Sequence, residues 1–296
     1  MAVESNEDRA RIVADIRSIV QDVRDLPTLP TIAIEVRRLV DDPSTNISDM
    51  VGVVDRDVAL TGRILRIANS AYYGIPRKVD NLKMAMVILG VREMVNLVTS
   101  VSVLRMIQDQ TVNKGFDIRE FWIHSATCAE LAVSLYKGLR LTMPTSAYIA
   151  GLLHDIGKLI LNQQFPEYHE ACLNYAAEHK VRIVSAEINV LGVDHGHIGG
   201  WLTKRWNIPE EITEAISRHH IRPSDSPKNG LPTIIDWADR LFYVMKSRDR
   251  AETIDVLNSN EHWREWLGDN FAATEKIVGV LFEGWERSHE MIKLLD

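Results

Sequence analysis

A handful of imidazoles and carboxylates in this 296-residue chain fall where a metal-assisted hydrolysis would need them. At their centre is Gly151-Leu152-Leu153-His154-Asp155-Ile156-Gly157-Lys158-Leu159, which sets a His and an Asp side by side in an apolar segment. Burying an unpaired carboxylate is costly, so Asp155 requires a cation, a hydrogen-bond donor or a metal beside it. Glu120 and His124 stand at i and i+4, one turn apart on the same helix face. Farther on come Asp194-His195-Gly196-His197, the pair His219-His220, and Asp239 within Trp237-Ala238-Asp239-Arg240.

Imidazole and carboxylate together suit a divalent transition metal: iron, manganese, zinc or nickel. Cys128 and Cys172 have no CxxC or zinc-ribbon spacing and are expected reduced in the core. That argues against a structural zinc and favours iron, manganese or nickel. Two ions bridged by Asp155 would suit attack on a phosphate ester. Lys158, one turn beyond His154, could then stabilise charge on a phosphoryl oxygen. A single His on an apolar helix is more often a packed core residue than a ligand. The whole set is better explained by metal, because buried polar groups must find partners and a shared ion satisfies all of them. His197 is expected beside the ligands or on the surface, and His169, His179, His262 and His289 on the surface.

The elements around these residues read as helices throughout. Ile12, Val13, Ile16, Ile19, Val20 and Val23 recur at three- and four-residue spacing, an amphipathic helix from Glu7 to Leu26 that Pro27 and Pro30 stop. Helices follow over Thr31–Val40, from a cap at Ser48 through Val54, from a cap at Asp57 through Ala68, and from Asp80 or Asn81 through Leu89. Gly90 ends or interrupts the last of these, and Val91–Gln108 reads as a long, largely buried helix. No alternating strand pattern stands out. Beyond Lys246, Ala251–Asn258, His262–Leu267 and Phe271–Leu295 also read as helices, which could cover the bundle or form a homodimer seam. Trp201 and Trp206 are expected in the core.

Leu26-Pro-Thr-Leu-Pro30, Asp55-Arg-Asp-Val-Ala-Leu-Thr61, Ile67-Ala-Asn-Ser-Ala-Tyr-Tyr-Gly74 and Ile88-Leu-Gly-Val-Arg-Glu93 resemble, in order and spacing, the HDOD family. This is a bacterial signalling and output domain related to the HD phosphohydrolases, and the resemblance runs from about Ile19 to about His220. It implies a regulatory protein acting through contacts with signalling partners. The alternative it implies is a metal-dependent phosphohydrolase with a nucleotide or cyclic dinucleotide ligand. By analogy with the HD superfamily, the metal ligands would be Glu120, His124, His154, Asp155, His195, His219, His220 and Asp239. Asp155 and Lys158 would be the catalytic groups. Many HDOD domains have lost several of these positions, whereas this chain carries nearly all. Where the cyclic-di-GMP diesterase branch has a Glu and a Gly-Tyr-Pro after the double His, this chain has Ile221-Arg222-Pro223. Asn69, Ser70, Tyr72 and Tyr73 form either a turn whose polar groups satisfy backbone or an interaction loop for a partner.

The net charge of −7 and pI near 5.8 give no basic footprint, so direct DNA binding is not expected. The N-terminus has no signal-peptide core, and no run of about 18 apolar residues exists to span a membrane. The protein is expected in the cytoplasm. The predicted fold is all-α and two-lobed: residues 1–112 an N-terminal helical lobe, 113–250 an HD-type lobe carrying the metal site, and 251–296 a C-terminal helical extension.

Overall fold

The computed structural model describes residues 6–22, 31–70, 73, 75, 78–108, 112–113, 115–144, 146–220 and 230–295. The fold is all-α, with no strand among the described residues. Contacts divide the chain into two compact units, one of residues 27–110 and 283–296, the other of residues 1–26 and 111–282. Helix α1 (Asn6–Asp22) belongs to the second of these, where it packs on α11 and α12 described below.

The smaller unit holds α2 (Thr31–Asp41), α3 (Ile47–Val54), α4 (Val58–Ala68), α5 (Leu82–Leu89) and α6 (Val91–Gln108). Its boundaries follow from local chemistry. Asn46, not Ser48, caps α3: its side chain accepts from the amides of Ser48 and Asp49, and Asp49 returns a bond to the Asn46 amide. Ser48 lies inside the first turn. Asp57 and Asn81 cap α4 and α5, and Gly90, at a φ of 88°, ends α5 where a side chain would be strained. Helix α6 is buried along most of its length from Met94 to Ile107, its small polar residues Thr99, Ser100 and Ser102 included, and it packs on α2, α4 and α5, so it is the unit's central element.

The larger unit is built on α7 (Ile118–Gly138), whose residues from Phe121 to Tyr136 are nearly all buried. Around it come α8 (Ala147–Leu153), α9 (Ile156–Gln164), α10 (Pro166–His179), α11 (Ile183–Leu191), α12 (His195–Arg205), α13 (Glu210–Arg218) and α14 (Leu231–Met245). Helices α15 (Arg250–Ser259) and α16 (Glu261–Leu267) follow, then a 3₁₀ turn over Gly268–Ala273 and α17 (Thr274–Leu295), of which only the part up to Phe282 belongs to this unit. Trp237 on α14 packs against Trp263 and Trp266 of α16, with ring centroids 5.0 Å away in each case. Trp201 and Trp206 are only half-buried, and Arg17 lies over the Trp201 ring, 5.8 Å from its centroid. No helix among the described residues is long and apolar enough to cross a membrane.

Two glycines set how closely the site-bearing helices approach. A Cβ on Gly151 would lie 2.7 Å from Ala129 Cα of α7, and a Cβ on Gly157 would lie 2.0 Å from His195 O at the start of α12. Neither obstacle is a flexible side-chain end, so the backbone itself would have to move. Gly157→Ala is therefore expected to lower stability by about 3 kcal/mol or more, read as a shift in the urea midpoint. An unchanged midpoint would show that α9 and α12 have room to spare.

Candidate metal centre

The break between α8 and α9 makes the site. His154 ends α8 and Asp155 stands at the N-cap position of α9, yet the Asp155 side chain makes no capping bond. Both of its oxygens are left for the interior, where the residue is 1% exposed. One oxygen, Oδ2, lies 3.1 Å from His124 Nε2, 3.5 Å from His154 Nε2 and 2.6 Å from Lys158 Nζ. The other, Oδ1, lies 3.0 Å from His195 Nε2 and 3.8 Å from His219 Nε2. The carboxylate faces two groups of imidazoles, one with each oxygen.

The helix termini also fix the imidazoles. A carbonyl can only accept, so the proton of each terminal His must sit on the nitrogen that meets it. His154 Nδ1–H donates to Gly151 O at 2.8 Å, and His219 Nδ1–H donates to Ile216 O at 2.6 Å. Each bond uses an orphan carbonyl of a helix's last turn and turns an Nε2 lone pair inward. His195, at the first position of α12, is held differently. Glu187 of α11, fully buried, accepts both its backbone N–H at 2.9 Å and its Nδ1–H at 2.6 Å through the same oxygen. Asp194 caps α12 by accepting from the His197 amide, and half-exposed His197 returns its ring to Asp194 at 2.8 Å.

Two clusters result among the described residues, each with one donor atom per residue and these atoms within 4.8 Å of one another. They are His124, Cys128, His154 and Asp239, and Asp155, His195, His219 and His220. Neighbouring imidazoles crowd within each. His124 Nε2 is 3.2 Å from His154 Nε2, and His220 Nε2 is 2.9 Å from His195 Nε2. Asp239 on α14 brings Oδ1 to 3.2 Å from His124 Nε2. Asp155 Oδ1 and His219 Nε2 have no hydrogen-bond partner among the described residues. Inward lone pairs facing carboxylates and one another need a cation between them, and the donor set is one that divalent transition metals accept. The buried His/Asp/Cys cluster could hold a metal ion.

Protonation shows the same need for positive charge. Burial works to lower the His195 pKa, but Glu187 outweighs it and holds the imidazole up at about 9. Burial also opposes a charged His124, which contact with Cys128, Asp155 and Asp239 raises well above the usual value. For His219 burial wins, with His154 and His195 adding to it, and its pKa falls to about 3. Burial likewise opposes the Asp155 charge, but His154, Lys158, His124 and His195 hold its carboxyl well below the usual range. Two protons thus occupy positions that cations would otherwise take.

Of the ligands expected from the sequence, His124, His154, Asp155, His195, His219, His220 and Asp239 come together, with Lys158 beside Asp155. Glu120 does not join them. It sits in the exposed first turn of α7 and pairs with Lys246. Cys128, one turn after His124 rather than one turn before, takes the inward position. His169 is buried rather than at the surface, near Asn162 (3.4 Å) and Phe116. Glu187 belongs to no motif; its signal was an acidic residue amid the apolar positions of α11. In the smaller unit, Asn69 donates to Leu65 O and Val79 O and accepts from the Val79 amide, while Tyr73 donates to Glu93 at 2.7 Å. Ser70 Oγ is buried without a hydrogen-bond partner among the described residues. Tyr72 lies outside the described residues, as do Leu26–Pro30 and Ile221–Pro223.

The HDOD domain family matches residues 26–222. An uncharacterized protein of Treponema pallidum is 28% identical over 218 residues, 73% of this chain, and the chain spans 42% of that relative's length. The fold resembles that of an HDOD domain protein with unknown function from Geobacter sulfurreducens, with a TM-score of 0.77 and 22% identity over 97% of this chain and 99% of that one. A protein provisionally named a phosphohydrolase, from Shewanella amazonensis, has a TM-score of 0.75 and 24% identity over 96% and 98% of the two chains.

The His195–Glu187 pair makes stability depend on pH with a definite sign. Its folded-state pKa of about 9 exceeds an unfolded value near 6.5, so the stabilisation is full below about pH 6.5. It is lost as pH rises through about 9. Urea denaturation of the metal-free protein should show stability falling across that window, with a shallower fall in Glu187→Gln. A flat profile in the unaltered protein would contradict the assignment.

Proposed function

The chain belongs to the HDOD family, and from that premise we propose that it is a metal-dependent phosphohydrolase of the HD type, holding two divalent transition ions. His124, His154 and Asp239 would hold one ion and His195, His219 and His220 the other, with Asp155 joining both. The observation that carries this reading is the placement of Asp155, whose two oxygens face different imidazole groups from a buried position. When bound, such ions supply Lewis acidity and an activated water for phosphate-ester hydrolysis. The chain's own residues orient the rest. Helix-end carbonyls and Glu187 fix the imidazole tautomers. Lys158, partly exposed beside Asp155, is the cation placed to neutralise a phosphoryl oxygen. Asp239, His220 and Tyr243 also retain exposure and mark the side from which a substrate would enter. Substrates in this reading are nucleotides or cyclic dinucleotides, and iron, manganese or nickel are the ions to try first.

A second reading, a regulatory module working through protein contact, draws on the smaller unit. Val58 is 82% exposed at the start of α4, and Val87 is 66% exposed on α5. These side chains gain nothing from the unit's own core and would be covered by a signalling partner. In that reading the loop of Asn69, Ser70 and Tyr73 shapes the surface.

The test is turnover of bis(p-nitrophenyl) phosphate and of nucleotide phosphodiesters by metal-loaded protein. Asp155→Asn should abolish it, and Lys158→Ala should lower kcat by about 10²-fold or more. A fully loaded, folded protein that turns over none of these substrates would remove the hydrolase reading and leave the regulatory one.

A further inference from the structure

Beside the cluster of imidazoles stands an aromatic ring to which metal binding gives no role. We propose that Tyr243 is the base-recognition residue of this site, its open ring face stacking on the nucleobase of a bound nucleotide. The inference rests on the hydrolase reading above and narrows its substrates to phosphate esters that carry a base close to the reacting phosphate.

The placement comes from the phase of α14. Asp239, Tyr243 and its C-cap Lys246 fall at i, i+4 and i+7, one stripe along the helix. Exposure rises along that stripe. Asp239 is mostly buried beside His124, Tyr243 is 58% exposed, and half-exposed Lys246 pairs with Glu120 of α7. Tyr243 thus stands one turn, about 6 Å along the axis, outward of Asp239, a step of the same order as that from a phosphate across its sugar to the base. One side of the ring is anchored. His124 meets Phe242 edge-on, with centroids 4.5 Å apart, and Tyr243 leans over the same imidazole at 5.5 Å with the planes 39° apart.

The polar end of the residue also belongs to the centre. The charges of His124, Lys158, Asp239 and Asp155 all act on the Tyr243 hydroxyl, and Tyr243 in turn acts on Lys158. Lys158 Nζ lies 2.6 Å from Asp155 Oδ2, so a cation and an open aromatic face border the same entrance. The two groups match the two ends of one nucleotide, Lys158 its phosphate and Tyr243 its base. A ring packed on one side gains its remaining contact when a second flat group covers the other. Every base offers a π-face, so such stacking selects for the presence of a base rather than for its identity.

A pair of ligands tests this by binding. Adenosine 5′-monophosphate and ribose 5-phosphate share sugar and phosphate and differ only in the base. Each is titrated calorimetrically into the metal-loaded full-length chain and into its Tyr243→Leu and Tyr243→Phe variants, with bound metal counted in every sample. The unaltered protein is expected to bind the nucleotide about 10-fold or more tightly than the sugar phosphate. Tyr243→Phe should keep that ratio, and Tyr243→Leu should bring it near one with the sugar-phosphate affinity unchanged. Equal affinities in the unaltered protein, or no binding of either ligand, overturn the inference without recourse to a variant. A preference that survives in Tyr243→Leu overturns the assignment to this residue, and one lost in Tyr243→Phe as well overturns stacking in favour of the hydroxyl. Turnover of bis(p-nitrophenyl) phosphate by the same preparation separates the two failures: hydrolysis without nucleotide preference refutes this inference alone, and absent hydrolysis removes the reading beneath it.

Discussion

A carboxylate buried in the middle of an apolar bundle constrains this protein more than any other feature. Asp155 is 1% exposed, carries no capping bond, and is surrounded by imidazoles from α7, α8, α12 and α13. A charge so placed is tolerable only with positive charge around it. Lys158 supplies one unit, and protonated His124 and His195 supply more when no metal is bound. Metal ions would perform the same neutralisation while releasing those protons, which ties occupancy of the centre to pH.

The helix ends do the positioning. His154 and His219 each close a helix by donating from Nδ1 to a last-turn carbonyl, so one hydrogen bond both ends the helix and aims the opposite nitrogen inward. His195 opens a helix and satisfies an orphan N–H through Glu187 in the same way. Gly151 and Gly157 let α8 and α9 come close enough to α7 and α12 for these ends to converge. Folding and assembly of the cluster therefore use the same bonds, and changes to these histidines are expected to register in stability as well as in any chemistry there.

Much of this was legible in the sequence, for identifiable reasons. Helical periodicity with caps at Asp57 and at Asp80 or Asn81 marked the elements, and His-Asp, His219-His220 and Asp239 stood out as polar residues in apolar surroundings. What could not be read was phase. Residues 120 and 128 both share a face with His124, and only the packing of α7 decides which one is inside. The first turn of α7 is exposed, so Glu120 found Lys246, and Cys128 took the buried position one turn on. Glu187 escaped notice because a carboxylate that orients a buried imidazole needs no fixed spacing from it. His169 looked like a surface residue because its partners, Asn162 and Phe116, come from other segments.

The most direct test of the central claim is elemental analysis of the full chain purified without chelator and without oxygen, beside a His154→Ala/Asp155→Ala control. One or two equivalents of divalent transition metal are expected in the unaltered protein and none in the folded control. A metal-free protein under those conditions, with the control still folded, would contradict it. The imidazoles around Asp155 would then be held by protons alone.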